Sequence, residues 1–114
     1  VNKAAFDMLA TSMSETRKNE EYRAIIPHWE SRLIFSGFYL HPMTGAIEVE
    51  KGQWHSVQEF DIVKFTKGYG HKVPSVTREW KGLTIGKPNP LWVPKGFLDL
   101  DKDYFRIELG EIIN

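Results

Sequence analysis

The chain predicts an α+β domain in which an N-terminal helix or helix pair packs on a four- to five-stranded, mainly antiparallel sheet. Three observations lead there. Apolar residues recur at helical spacing near the N-terminus, β-branched and aromatic residues alternate with polar ones between residues 33 and 65, and a second alternating segment closes the chain. Helical signal first and strand signal afterwards, without regular interleaving, favours an antiparallel sheet over parallel βαβ units.

Residues 3–26 carry the helical signal. Phe6, Leu9 and Met13 follow the i, i+3, i+7 rule, and Tyr22, Ile25 and Ile26 renew the apolar face. Ser12 followed three residues later by Glu15 has the form of a capping box, which restarts the helix near Met13. Glu15, Arg17, Lys18, Glu20, Glu21 and Arg23 mix both signs of charge and read as a solvated helical face. Pro27 ends the helix, because it lacks an N–H and pushes the preceding residue out of the α region.

Strands follow. Residues 33–40 are rich in β-branched and aromatic side chains, His41-Pro42-Met43-Thr44-Gly45 reads as a turn, and residues 46–51 place Ile47 and Val49 opposite Glu48 and Glu50. This pattern predicts a hairpin. Gly52-Gln53 marks a further turn, and residues 57–65 read as a central strand, apolar on parts of both faces. Between residues 65 and 95 the breakers Gly68, Gly70, Pro74, Gly82, Gly86, Pro88, Pro90 and Pro94 predict a long series of loops, with short strands at 83–85 and 91–93. Phe105, Ile107 and Leu109 alternate with Arg106 and Glu108 in a closing strand.

At 114 residues, with 41% hydrophobic and 26% charged residues, the composition is that of one folded domain over residues 1–114, helical at 3–26 and made of sheet and loops at 31–113. The absence of cysteine excludes disulfide frameworks, thiol nucleophiles and cysteine metal sites. No apolar run approaches the ~18 residues of a spanning helix, so no membrane partner is expected. A start at Val1 rather than Met is consistent with a processed product or an excised domain, delivered within a larger secreted protein to a cytoplasmic site of action.

Chemistry concentrates in the loop region. Lys64, Lys67, Lys72, Arg78, Lys81, Lys87 and Lys95 there face the single acid Glu79, although the chain's formal net charge is +0. His71 lies in Gly68-Tyr69-Gly70-His71-Lys72, where glycines allow close backbone approach and the lysine offers a phosphate partner. His71 and Glu79 are the residue types that divide general acid and base roles, with Lys72 and Arg78 stabilising a phosphorane, the minimum equipment for cutting RNA through its 2′-hydroxyl. Tyr69, Trp80 and Trp92 would stack on bases, and Thr77 and Lys87 complete the expected substrate-binding set.

Helices placed before an antiparallel sheet make the expected architecture similar to small ribonuclease toxin domains of the barnase and colicin type. That resemblance implies a metal-independent endoribonuclease without cofactor, acting on RNA such as tRNA and held by an inhibitory or activating protein partner. The alternative is a non-catalytic protein–protein interaction module whose aromatic loops dock on a partner, in keeping with the neutral charge. Metal chemistry is not expected: His28, His41, His55 and His71 lack ligand spacing, and the Asp99, Asp101, Asp103 series has Tyr104 where a calcium loop needs glycine.

Overall fold

A computed structural model of the protein describes residues 1–11 and 17–113. Among the described residues it is an α+β fold with two helices and two antiparallel sheets, of four and three strands. Helix α1 (Lys3–Ala10) is capped by Asn2, whose Oδ1 accepts from Ala5 N at 2.8 Å. Eight residues are too few for an independent helix, and α1 depends on burying Phe6 and Leu9 in the core.

Among the described residues the helical reading of 3–26 fails from Arg17 on. Glu20–Arg23 is strand β1, antiparallel to the last strand, and the capping box at Ser12 and Glu15 falls outside the described residues. The charged residues read as a solvated face include a buried ion pair, Lys18 Nζ to Glu21 Oε1 at 2.8 Å. Pairing and the Tyr22 N–H, which donates to the same Oε1 at 2.9 Å, offset desolvation of the carboxylate. Pro27 opens a helix rather than stopping one: α2 (Pro27–Leu33) has proline at its first position, where the missing N–H costs nothing.

Strand β2 (Ile34–Tyr39) and strand β3 (Ala46–Glu50) form where residue type and alternation predict them, but they do not pair with each other. Strand β4 (Gln53–Val57) lies between them and makes the hairpin with β3 across Gly52, whose φ of 82° suits glycine. The single strand expected at 57–65 is divided. Val57 ends β4, and Ile62–Thr66 is β5, an edge rather than a central strand, because the chain crosses from the small sheet to the large one at residues 58–61.

The largest departure is strand β6 (Ser75–Gly86), twelve residues in a region read mainly as loops. Its glycines mark irregularity and close approach rather than turns. The register with β7 (Tyr104–Ile113) shifts on either side of Trp80, Gly82 has φ 143°, and a Cβ on Gly86 would stand 2.7 Å from Cζ of Arg106. Residues 91–93 are not a strand; Pro90–Trp92 is a 3-10 turn capped by Asn89.

The large sheet runs β1-β7-β6-β5 and the small one β2-β4-β3, so seven strands replace the four or five expected in one sheet. Phe6, Leu9, Leu33, Ile34, Phe65, Val76, Leu83, Phe105, Ile107 and Leu109 form the buried core, with Ile47 and Val49 of β3 packed against it. At about 1.5–3 kcal/mol for each large apolar side chain, this cluster joins both sheets and both helices. No helix of the described residues is long and apolar enough to cross a membrane.

Candidate functional site

The residues expected to form one catalytic centre lie in three places. His71, Tyr69 and Lys72 occupy the exposed β5–β6 loop, whose base is closed by Lys67 N donating to Pro74 O and Gly68 N to Val1 O, both at 2.9 Å. Positive φ at Gly68 (81°) and Gly70 (123°) shapes the turn that carries Tyr69 and His71 outward. Thr77, Arg78, Glu79 and Trp80 lie on β6, beyond the loop. Lys87 and Trp92 belong to the segment after β6, Lys87 exposed and Trp92 partly buried on the 3-10 turn.

Glu79 is four strand residues from Ser75 at the loop base, roughly 13 Å at ~3.3 Å per residue. No described hydrogen bond or ion pair joins it to His71. Its carboxylate instead accepts Glu111 N at 2.9 Å and pairs with Lys81 at 3.3 Å. Those contacts, the Glu111 N–H foremost, hold it below the usual carboxylate range.

Arg78 corrects its expected role on phosphate. It is 0% exposed. Nε donates to Gly110 O at 2.7 Å, Nη1 to Leu9 O at 3.1 Å and Lys18 O at 2.7 Å, and Nη2 to Asn19 Oδ1 at 2.9 Å. Burial pushes the guanidinium down to about 10, still charged at neutral pH. It is a tie between the end of α1, the approach to β1 and β7.

Trp80 stacks edge-on against Phe60, with centroids 5.0 Å apart at 76°, and lines a cleft between the sheets with Asp61 and Lys81. Thr77 is partly buried within the β5-β6-β7 ladder. His28 is exposed, whereas His55 is buried with Nδ1 2.8 Å from Phe35 O. Among the described residues no group of three or more histidine and acidic side chains is placed to hold a metal.

The fold gathers a different set. A groove of about 450 Å³ opens between the N-terminal end of α1, β1, α2 and residues 93–98, lined by Tyr22, Arg23, Trp29, Tyr69, Val93 and Phe97 among others. Tyr69 is fully exposed and Phe97 is 59% exposed. The Arg23 guanidinium lies 5.0 Å from the Trp29 ring and its Nη1 3.6 Å from Glu21 Oε1, so charge and aromatic surface share one wall. The Lys18–Glu21 pair lies beneath, and Glu21 Oε2 is buried without a hydrogen-bond partner. Tyr22 fixes another wall: its hydroxyl donates to Glu20 at 2.8 Å and accepts from Asn89 N at 2.9 Å, and burial raises its pKa.

Of the expected binding residues only Tyr69 reaches this groove. Arg23 is masked by the helical reading of residues 3–26, Trp29 follows Pro27 with no binding motif around it, and Phe97 follows Pro94-Lys95-Gly96, which signals only a turn. The chain matches no protein-family model, no curated protein and no solved structure.

Proposed function

We propose that this protein is a non-catalytic interaction module that docks a protein partner through the groove bounded by Trp29, Tyr69 and Phe97. The observation that carries the reading is large aromatic side chains left in water around a concave, mostly apolar wall. Exposed rings are costly to leave solvated, and interface centres favour aromatics and arginine beside a pocket that takes an apolar anchor. Arg23, held over Trp29, offers a directional donor at the rim.

The ribonuclease expectation lacks comparable support. Arg78 is enclosed by backbone carbonyls, Glu79 is engaged by Glu111 and Lys81, and His71 has no described acid–base partner. The test is photo-crosslinking from position 97, with benzoylphenylalanine replacing Phe97, in the cell that makes the protein. The control places the same probe at the exposed Lys51. The expected result is a discrete adduct from position 97 alone, sensitive to protease and resistant to ribonuclease. Adducts that contain RNA, or equal adducts from both positions, would refute the reading.

A further inference from the structure

We infer that strand β2 is a self-association surface, pairing antiparallel with β2 of a second copy of this chain about a two-fold axis. The surface shares no residue with the groove lined by Tyr69 and Phe97 and does not depend on the docking role proposed for that groove.

Four strands stand at sheet edges: β1 and β5 in the large sheet, β2 and β3 in the small one. An edge strand presents unpaired N–H and C=O groups, and charged side chains are a common protection against pairing with another chain. β1 carries Glu20, Glu21 and Arg23, β3 carries Glu48 and Glu50, and β5 carries Lys64. β2 carries none. From Leu33 to Ile47 the chain has no Asp, Glu, Lys or Arg.

Apolar side chains occupy this edge and the connection that follows it instead. Phe35, Phe38, Tyr39 and Met43 are about half exposed, and Leu40 is 71% exposed. The ladder with β4 is irregular between Ile34 and Phe38, where the imidazole of His55 meets Phe35 O, and regular pairing resumes at Phe38↔His55 and Tyr39↔Trp54. The edge available to another strand is therefore Ile34–Tyr39, irregular before Phe38 and regular at Phe38 and Tyr39, with Leu40 on the bend that follows.

A second copy is the occupant because the strip is complementary to itself. Antiparallel pairing about a two-fold sets β2 against β2 with no charge on either strand, so no like charges meet, and aromatic side chains lie across from aromatic side chains. Half-exposed rings of this size each offer roughly 100 Å². With Leu40, Met43 and the strand backbone the strip reaches roughly 500 Å² per copy, or about 1,000 Å² for a pair, the lower bound for a specific interface. A reversible dimer of micromolar affinity is the expected outcome, closing one edge of each small sheet in a continuous six-stranded one.

The test is sedimentation equilibrium of the purified chain from about 1 to 300 μM, with hydrogen exchange at both extremes. The expected result is a monomer–dimer equilibrium, with amide protection at residues 38–40 rising with concentration. Leu40→Lys, a change at the most exposed side chain of the strip, should weaken the dimer at least ~30-fold by setting like charges across the axis. Phe38→Lys should do the same; because Phe38 also packs 5.7 Å from His55, Leu40→Lys is the variant that decides. Glu50→Lys, on the edge formed by β3, should leave association unchanged. A monomer throughout the range, open-ended polymers, or a dimer indifferent to Leu40→Lys would overturn the inference.

Discussion

Replacing Arg78 by methionine tests the central structural claim, that this residue is a buried tie and not a phosphate ligand. Two effects oppose each other. Burial lowers the guanidinium from 12.5 to about 10, equivalent to roughly 3 kcal/mol against the charged form. Against that stand four charge-assisted hydrogen bonds to Gly110 O, Leu9 O, Lys18 O and Asn19 Oδ1, each contributing about 1.5–3 kcal/mol. The bonds win, and Arg78→Met, which takes this donor from Leu9 O, Lys18 O and Asn19 Oδ1 while Gly110 O keeps Arg17 Nη2 at 3.2 Å, should destabilise the fold by about 4 kcal/mol, a large share of the ~5–15 kcal/mol typical of a domain. In urea this is a midpoint lowered by roughly 2 M for a slope near 2 kcal/mol/M. Arg78→Lys should fall between, since one ammonium cannot span acceptors arranged around a planar fork. A loss below about 1 kcal/mol in Arg78→Met would show that the guanidinium does not hold these segments together.

Further outcomes follow from the same geometry. Tyr22 is raised above its ordinary 10 by burial, so above pH 10 the unfolded chain releases this proton first and stability falls as pH rises; Tyr22→Phe should remove that alkaline decline in urea titrations, at a cost of about 1 kcal/mol near neutrality from the hydrogen bonds to Glu20 and Asn89. Glu79 is lowered from 4.5, first by the Glu111 N–H and then by Lys81, so its stabilising share is present above pH 4.5 and is lost as pH falls below it. Glu79→Gln should accordingly flatten the acid limb of the stability profile, measured by thermal unfolding from pH 2.5 to 7. Incubated with total RNA and tRNA in EDTA, the wild-type chain should leave the RNA as intact on a denaturing gel as His71→Ala does. Cleavage by wild type alone would return His71 to the centre of an acid–base site.

The limits of reading the chain without its fold are visible in particular residues. β-branched and aromatic richness placed β2, and alternation placed β3 and the first half of the closing strand, because side chains of a half-buried strand change face at each residue whatever the strand pairs with. The same logic misled over residues 17–26. Tyr22 and Ile25 fit a helical period, but a four-residue strand leaves too short a record for period to decide, and β1 takes its identity from β7, more than eighty residues away in sequence. β6 was obscured for a different reason: Gly82 and Gly86 are breakers in local terms, yet one sits at a register shift and the other yields space to Arg106.

What the sequence by itself determined was the class: an early helix, later antiparallel strands, one apolar cluster and no cysteine chemistry, all properties of composition and of neighbours along the chain. Only the tertiary structure decided that β4 separates β2 from β3, that β6 and β7 form the centre of the large sheet, and that Tyr69 joins Trp29 and Phe97 at a groove while His71 and Glu79 remain apart. Arg78 gives the physical reason. Its acceptors lie 32 to 69 residues away in sequence, and whether a cation meets a phosphate or a ring of buried carbonyls depends on which distant segments the core draws around it.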